Sequence, residues 1–123
     1  MNKNKILNLP TFKDKRGFLT VLEDLLPFPV KRIYWIYGAN GAKRGGHRHK
    51  ITRQALIAIS GEVTLEINNG INEIFYTLDN PSMCLIVEPQ DWHTMTLKDN
   101  AVLIVFASHK YNKEDYIYTP YNN

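Results

Sequence analysis

The 123 residues contain one cysteine, Cys84, which rules out an internal disulfide. Set in the apolar run Met83-Cys84-Leu85-Ile86-Val87, it reads as a small buried hydrophobe and not as a catalytic thiol. No stretch approaches the roughly 20 apolar residues that a membrane-spanning helix needs, so a soluble chain with no membrane partner is expected. The opening MNKNKILNLP is basic but lacks the 7–15 apolar residues, or about that many, of a secretory signal, which points to the cytoplasm. Charge of one sign is also scarce. The formal net charge is +3, and the lysines and arginines are dispersed, unlike the arm of a nucleic-acid-binding protein. Internal repeats, low-complexity stretches, linkers and runs of helical period are all missing, which leaves one domain over residues 1–123 and no helical fold.

What is present is a series of short β-type segments separated by Gly, Pro, Asn and Asp. Val63 to Ile67 alternates apolar and polar residues, Asn68-Asn69-Gly70 tolerates a tight turn, and Ile74 to Leu78 resumes the β composition, so a hairpin is expected. Further strands are expected at Phe18 to Glu23, Arg32 to Tyr37, Gln54 to Ile59, Met83 to Val87, Thr94 to Leu97 and Ala101 to Ala107. Ala55 to Ile59 and Ala101 to Phe106 are apolar throughout, as in strands covered on both faces. Eight short strands at this spacing define an all-β sandwich or jelly-roll barrel. The tail from Tyr111 to Asn123 carries Tyr111, Tyr116, Tyr118 and Tyr121. These must either fold back on the barrel or be covered by a second subunit.

The residues with most chemical content lie between Gly41 and Gly61. Gly41 is followed after five residues by His47, Arg48 and His49, after four more by Gln54, and after six more by Gly61. His47 and His49, two apart on a strand, share a face, and Gln54 on the following strand is expected to reach it from beside them. The Pro89-Gln90-Asp91-Trp92-His93 segment then brings a third histidine into a strand. This pattern resembles the two signature motifs of the cupin superfamily, except that Gln54 stands where the motif has Glu. Three imidazoles and a carboxylate would suit a divalent metal, but a neutral amide gives up the anionic ligand, so no metal is assigned.

From Lys31 onward the chain is similar to the sugar 3,4-ketoisomerases, which move the carbonyl of a dTDP-4-keto-6-deoxyhexose to C3. The matching residues are Lys31 to Tyr37, Arg44 to Lys50, Gln54, Gly61, Glu88 to His93, Ala107 to Tyr111, and Asp115-Tyr116. The early Asp14-Lys15-Arg16-Gly17 resembles that family's opening motif. The resemblance implies a cupin jelly roll without cofactor or metal, usually a homodimer, acting on a dTDP-linked keto sugar. A histidine is suited to take the C3 proton and return it to C4 near neutral pH. His49 is the expected shuttle, with His47 next, and Tyr37 and His93 complete the catalytic candidates. Arg16, Arg32 and Arg44 are expected on the diphosphate, with Tyr34 and Gln54 also on substrate. The Trp92-His93 pair points to a galacto product. The competing readings are a metal-dependent cupin such as a dioxygenase and a non-catalytic sugar-nucleotide-binding module.

Overall fold

A computed structural model describes residues 5–123. Among the described residues twelve strands run in order: β1 Ile6–Asn8, β2 Thr11–Asp14, β3 Gly17–Thr20, β4 Arg32–Ile36, β5 Lys43–His49, β6 Gln54–Ser60, β7 Val63–Asn68, β8 Glu73–Leu78, β9 Met83–Val87, β10 Trp92–Leu97, β11 Val102–Ala107 and β12 Tyr116–Ile117. The only helical piece among the described residues is a single 3-10 turn, Lys113–Asp115. Two five-stranded antiparallel sheets, β1-β9-β6-β11-β4 and β12-β5-β10-β7-β8, face one another as a jelly roll, and β2 and β3 form a separate hairpin. This is the all-β cupin fold expected from the sequence.

The expected β7–β8 hairpin is present in the register Val63 opposite Leu78 through Asn68 opposite Glu73. The strand expected to run from Phe18 to Glu23 instead occupies Gly17–Thr20 and pairs with β2. Strands β1, β2 and β12 are too short to show a period of two in the sequence, and tertiary pairing defines them.

Alternation along each strand sorts the side chains into two layers. Leu56, Leu65, Leu85, Leu97, Leu103 and Val105 point between the sheets and form the main core. Each fully buried leucine contributes about 2–3 kcal/mol of transfer free energy. On the outer face of the first sheet, Ala55 and Ile57 meet Cys84 and Ile86, and Leu9 and Phe28 cover them. Strand β6 is therefore buried on both sides, which is why its sequence is continuously apolar. Cys84 is fully buried in that second layer, and burial pushes its thiol up to about 11. We expect no reaction of native protein with a thiol reagent such as DTNB at pH 8, and full reaction after unfolding in guanidinium, measured by absorbance.

The strands are also divided along their length. Inward positions of β4, β6 and β10 begin polar, with Arg32, Tyr34, Gln54 and His93, and end apolar, with Ile36, Leu56, Ala58, Met95 and Leu97. One end of the barrel is thus an oily plug and the other a lined cup.

Candidate active site

The cup takes its histidines from two neighbouring strands. β5 pairs antiparallel with β10, placing His47 opposite His93, and the register shifts at the next step, where Thr94 lies opposite Gly45. Gly46 is the residue left over in this bulge, and Gly45 and Gly46 have φ of +87° and +83°. Such angles favour glycine, which accounts for the Gly-Gly before the His-x-His pair.

His47, His49 and His93 form one cluster. The His47 ring centroid lies 5.0 Å from that of His49 and 4.8 Å from that of His93, while His49 and His93 stack at 6.0 Å. Tyr116, from β12 beside β5, lies 4.7 Å from His47 and 4.6 Å from His49. His49 is 3% exposed and His93 1%. His93 Nδ1 donates to the Asp91 carbonyl at 3.0 Å. Asp91 is set by its own turn, where its carboxylate accepts from the Glu88 N–H and pairs with Lys5. His49 Nδ1 lies 2.9 Å from Asp115 Oδ2, and His49 Nε2 is buried with no hydrogen-bond partner.

Burial keeps the imidazoles neutral. It pulls His93 down to about 3, helped by His47, His49 and Lys5, and it pulls His47 down to about 4, helped by His49. His49 is lowered by the same desolvation, against the opposing pull of Asp115. Unfolded imidazoles titrate near 6.5. The folded state therefore binds fewer protons than the unfolded state below that pH, and stability falls on acidification. The melting midpoint is expected to be flat from pH 8 to 7 and to decline from pH 6.5 towards 4, with a shallower decline in His93→Gln, measured by calorimetry.

A cavity of about 290 Å³ opens over this cluster, lined by Arg32, Tyr34, Arg44, His47, His93 and Tyr116 among others. Gln54 is buried and donates from Nε2 to Tyr34 Oη at 3.0 Å. It does so from β6 in the opposite sheet, not from beside the histidines on a strand neighbouring β5. Burial raises the Tyr34 phenol, reinforced by Tyr116, so it stays protonated. The Arg32 guanidinium stacks 4.4 Å from the Tyr34 ring.

Two expected site residues are not brought here. Tyr37 is 69% exposed, because the inward parity of β4 is Arg32, Tyr34, Ile36, and Tyr37 falls beyond the strand on the wrong count. Arg16 sits on the β2–β3 hairpin with an 87% exposed side chain, paired with Asp14, and does not line this cavity. His49 is not itself part of the lining; its ring lies 5.0 Å from that of His47 and 4.6 Å from that of Tyr116, both of which line the cavity. Asp115, Thr52 and Tyr116 were not among the expected site residues, although Asp115-Tyr116 belonged to the matching segments. Part of the tail folds back on the barrel, while Tyr111 and Tyr118 stay 62% and 68% exposed. β12 joins β5, and Tyr121 donates to the Gln90 carbonyl at 2.7 Å beneath the Arg48 guanidinium.

His47, His49 and His93 each offer one nitrogen, all within 4.8 Å of one another, a grouping that could hold a divalent metal. No carboxylate joins the set, because Asp115 is held against the far nitrogen of His49. No step is routed through a metal here.

A jelly roll with imidazoles, a phenol and arginines converging in one cup is a cupin with acid–base side chains gathered around a cavity. The family model described as FdtA: WxcM-like, C-terminal matches residues 2–122, and the chain belongs to that family. The curated TDP-4-oxo-6-deoxy-alpha-D-glucose-3,4-oxoisomerase of Aneurinibacillus thermoaerophilus is 39% identical over 121 residues, spanning 94% of this chain and 86% of its own. A 3,4-ketoisomerase from Helicobacter canadensis superposes with a TM-score of 0.88 at 38% identity, over 94% of this chain and 90% of that one. A histidine-to-asparagine mutant of the 3,4-ketoisomerase QdtA from Thermoanaerobacterium thermosaccharolyticum, in complex with TDP-4-keto-6-deoxyglucose, superposes with a TM-score of 0.88 at 31% identity, over 96% and 90%. The chain is an isomerase of the sugar 3,4-ketoisomerase type.

Proposed function

We propose that the chain converts dTDP-4-keto-6-deoxyglucose into the corresponding dTDP-3-keto-6-deoxyhexose in the cytoplasm, supplying 3-amino-3,6-dideoxy sugars for surface polysaccharide. The observation that carries this reading is the cup itself, in which neutral imidazoles, a protonated phenol and two arginines face one cavity. The ligand named for the QdtA complex supports the choice of sugar.

In this reading His49 Nε2 removes the C3 proton, and the C3–H electron pair becomes the C3=C4 bond while negative charge gathers on O4. Tyr34 accepts from Gln54, so its own O–H is free to donate to that oxygen. The pair then collapses from O3, which becomes the C3 carbonyl as the imidazolium returns the proton to C4 and the hydroxyl proton passes from O3 to O4. Arg32 and Arg44 line the cavity and suit the diphosphate, since a guanidinium makes paired bonds to phosphate oxygens. We assign the product the galacto configuration at C4, the reading to which the Trp92-His93 sequence pair points. The test is NMR of the product formed from dTDP-4-keto-6-deoxyglucose. A 3-keto sugar with an axial O4 is expected, and an equatorial O4 would reverse the stereochemical assignment.

We also propose a homodimer. The β2–β3 hairpin pairs only with itself, and an isolated hairpin is marginal in water. Its Phe12, Phe18 and Leu19 are exposed, as are Ile33 and Trp35 on edge strand β4. A second copy covering these faces would give Arg16 a route to a diphosphate across the interface. Light scattering at the mass of two chains is the expected result, and a single-chain mass at micromolar concentration would refute it.

A further inference from the structure

We propose that Asp115 is the positioning residue that fixes His49 as its Nδ1–H tautomer, and so selects His49 Nε2 from the three imidazoles as the atom that takes the substrate proton. This rests on the isomerase reading above and deepens it.

The carboxylate is held from every side. Its Oδ1 accepts from the Ile51 N–H at 2.8 Å, and its Oδ2 accepts from Thr52 Oγ1 at 2.5 Å while facing His49 Nδ1 at 2.9 Å. The main chain is fixed as well. The Lys50 N–H donates to the Asp115 carbonyl at 2.9 Å, and the Asp115 N–H donates to Asn112 at 3.0 Å. Asn112 caps the 3-10 turn, its Oδ1 accepting from the Glu114 N–H at 3.0 Å. The side chain is 5% exposed, so water does not compete for these bonds.

Burial alone would raise the Asp115 carboxyl, but the hydrogen bonds from Thr52, Ile51 and His49 outweigh it and hold the group below the usual carboxylate range. An ionised carboxylate only accepts. The hydrogen between it and His49 therefore belongs to Nδ1, and the lone pair of the neutral ring belongs to Nε2, the buried atom without a partner.

The other two imidazoles lack this support. His93 Nδ1 donates to a backbone carbonyl, and His47 is hydrogen-bonded to the backbone at Gly45. A carbonyl can fix a tautomer but carries no charge to set against an imidazolium. Of the three rings in the cluster, His49 alone has an anion within hydrogen-bond reach, so it alone can hold the proton between C3 and C4. The sequence spacing left His47 and His49 equivalent, and Asp115 is the residue that separates them.

Three measurements test the assignment. Asp115→Asn keeps the shape and removes the charge, and kcat is expected to fall by about 10²–10⁴-fold with KM changed far less. Because the carboxylate raises the affinity of His49 for its proton, the acid limb of kcat/KM should move to lower pH in this variant as the plateau drops. Thr52→Val leaves the carboxylate against His49 and is expected to cost about tenfold or less. Nitrogen-15 NMR of unliganded wild-type protein at pH 7.5 should show His49 protonated at Nδ1 only. This readout needs neither a folded variant nor turnover, so it separates failure of the tautomer assignment from failure of the isomerase reading. An Nε2–H tautomer would overturn the proposal. So would an Asp115→Asn enzyme within threefold of wild-type kcat whose acid limb has not moved.

Discussion

His49→Asn is expected to abolish isomerisation while leaving nucleotide binding intact. The substitution removes the only ring in the cluster that combines a carboxylate partner with an unpartnered inward nitrogen. A positioned general base contributes about 10²–10⁴-fold, and here the same group serves as base and then as acid, so a loss near 10³-fold or more in kcat is expected, worth about 4 kcal/mol of barrier. Arg32 and Arg44 stay in place, so dTDP affinity measured by calorimetry should stay within a few-fold of wild type. Asn can still donate its amide N–H to Asp115 and fill much of the imidazole volume, which limits collateral damage to the fold. If turnover survives, His49 is not the proton carrier. If turnover and dTDP binding vanish together while the protein stays folded, the cup has a different division of labour.

Gly45→Ala is expected to damage stability and site together. A Cβ at Gly45 would lie 2.8 Å from the His93 carbonyl oxygen and 3.2 Å from the Thr94 Cα, both backbone atoms that cannot swing aside. The residue also has φ of +87°, a conformation strained for alanine. Left-handed strain costs about 1–3 kcal/mol and overpacking about as much again, so a loss of about 2–4 kcal/mol is expected after partial relaxation. The relaxation available is separation of β5 from β10 at the bulge that sets His47 opposite His93. Activity should therefore fall further than unfolding at the assay temperature explains, as seen by comparing kcat with the folded fraction from denaturant melts. Gly46→Ala provides the control. Its φ is +83°, but a Cβ there meets nothing within 4 Å, so it should pay the strain and keep the spacing of the rings.

Most of the barrel was legible because its long strands obey a period of two or are apolar on both faces, as β6 to β11 show. His47, His49 and His93 were legible because parity on two strands plus a glycine-rich lead-in is a local signal. The parts that were not legible depend on long-range placement. Asp115 lies 66 residues from His49 in sequence and reaches it only because β12 pairs with the far end of β5. Gln54 was expected beside the histidines, since nothing in a turn of four residues tells which sheet the next strand joins. Tyr37 was expected from the family resemblance, but its parity is opposite to that of Tyr34 and the strand ends one residue before it. Arg16 belongs to the β2–β3 hairpin, which joins neither large sheet, so local pattern carries no information on what that hairpin faces.

The central claim is proton transfer between C3 and C4 by an imidazole without a metal. It is tested most directly by incubating chelator-treated protein, its metal content checked by elemental analysis, with dTDP-4-keto-6-deoxyglucose in deuterated water and following the sugar by NMR. The account predicts full activity without bound metal, a 3-keto product, and solvent deuterium at C4 to no more than one atom, with none at C5. Activity that disappears with the metal and returns when iron, nickel or zinc is restored would contradict it, as would deuterium entering at C5 without movement of the carbonyl.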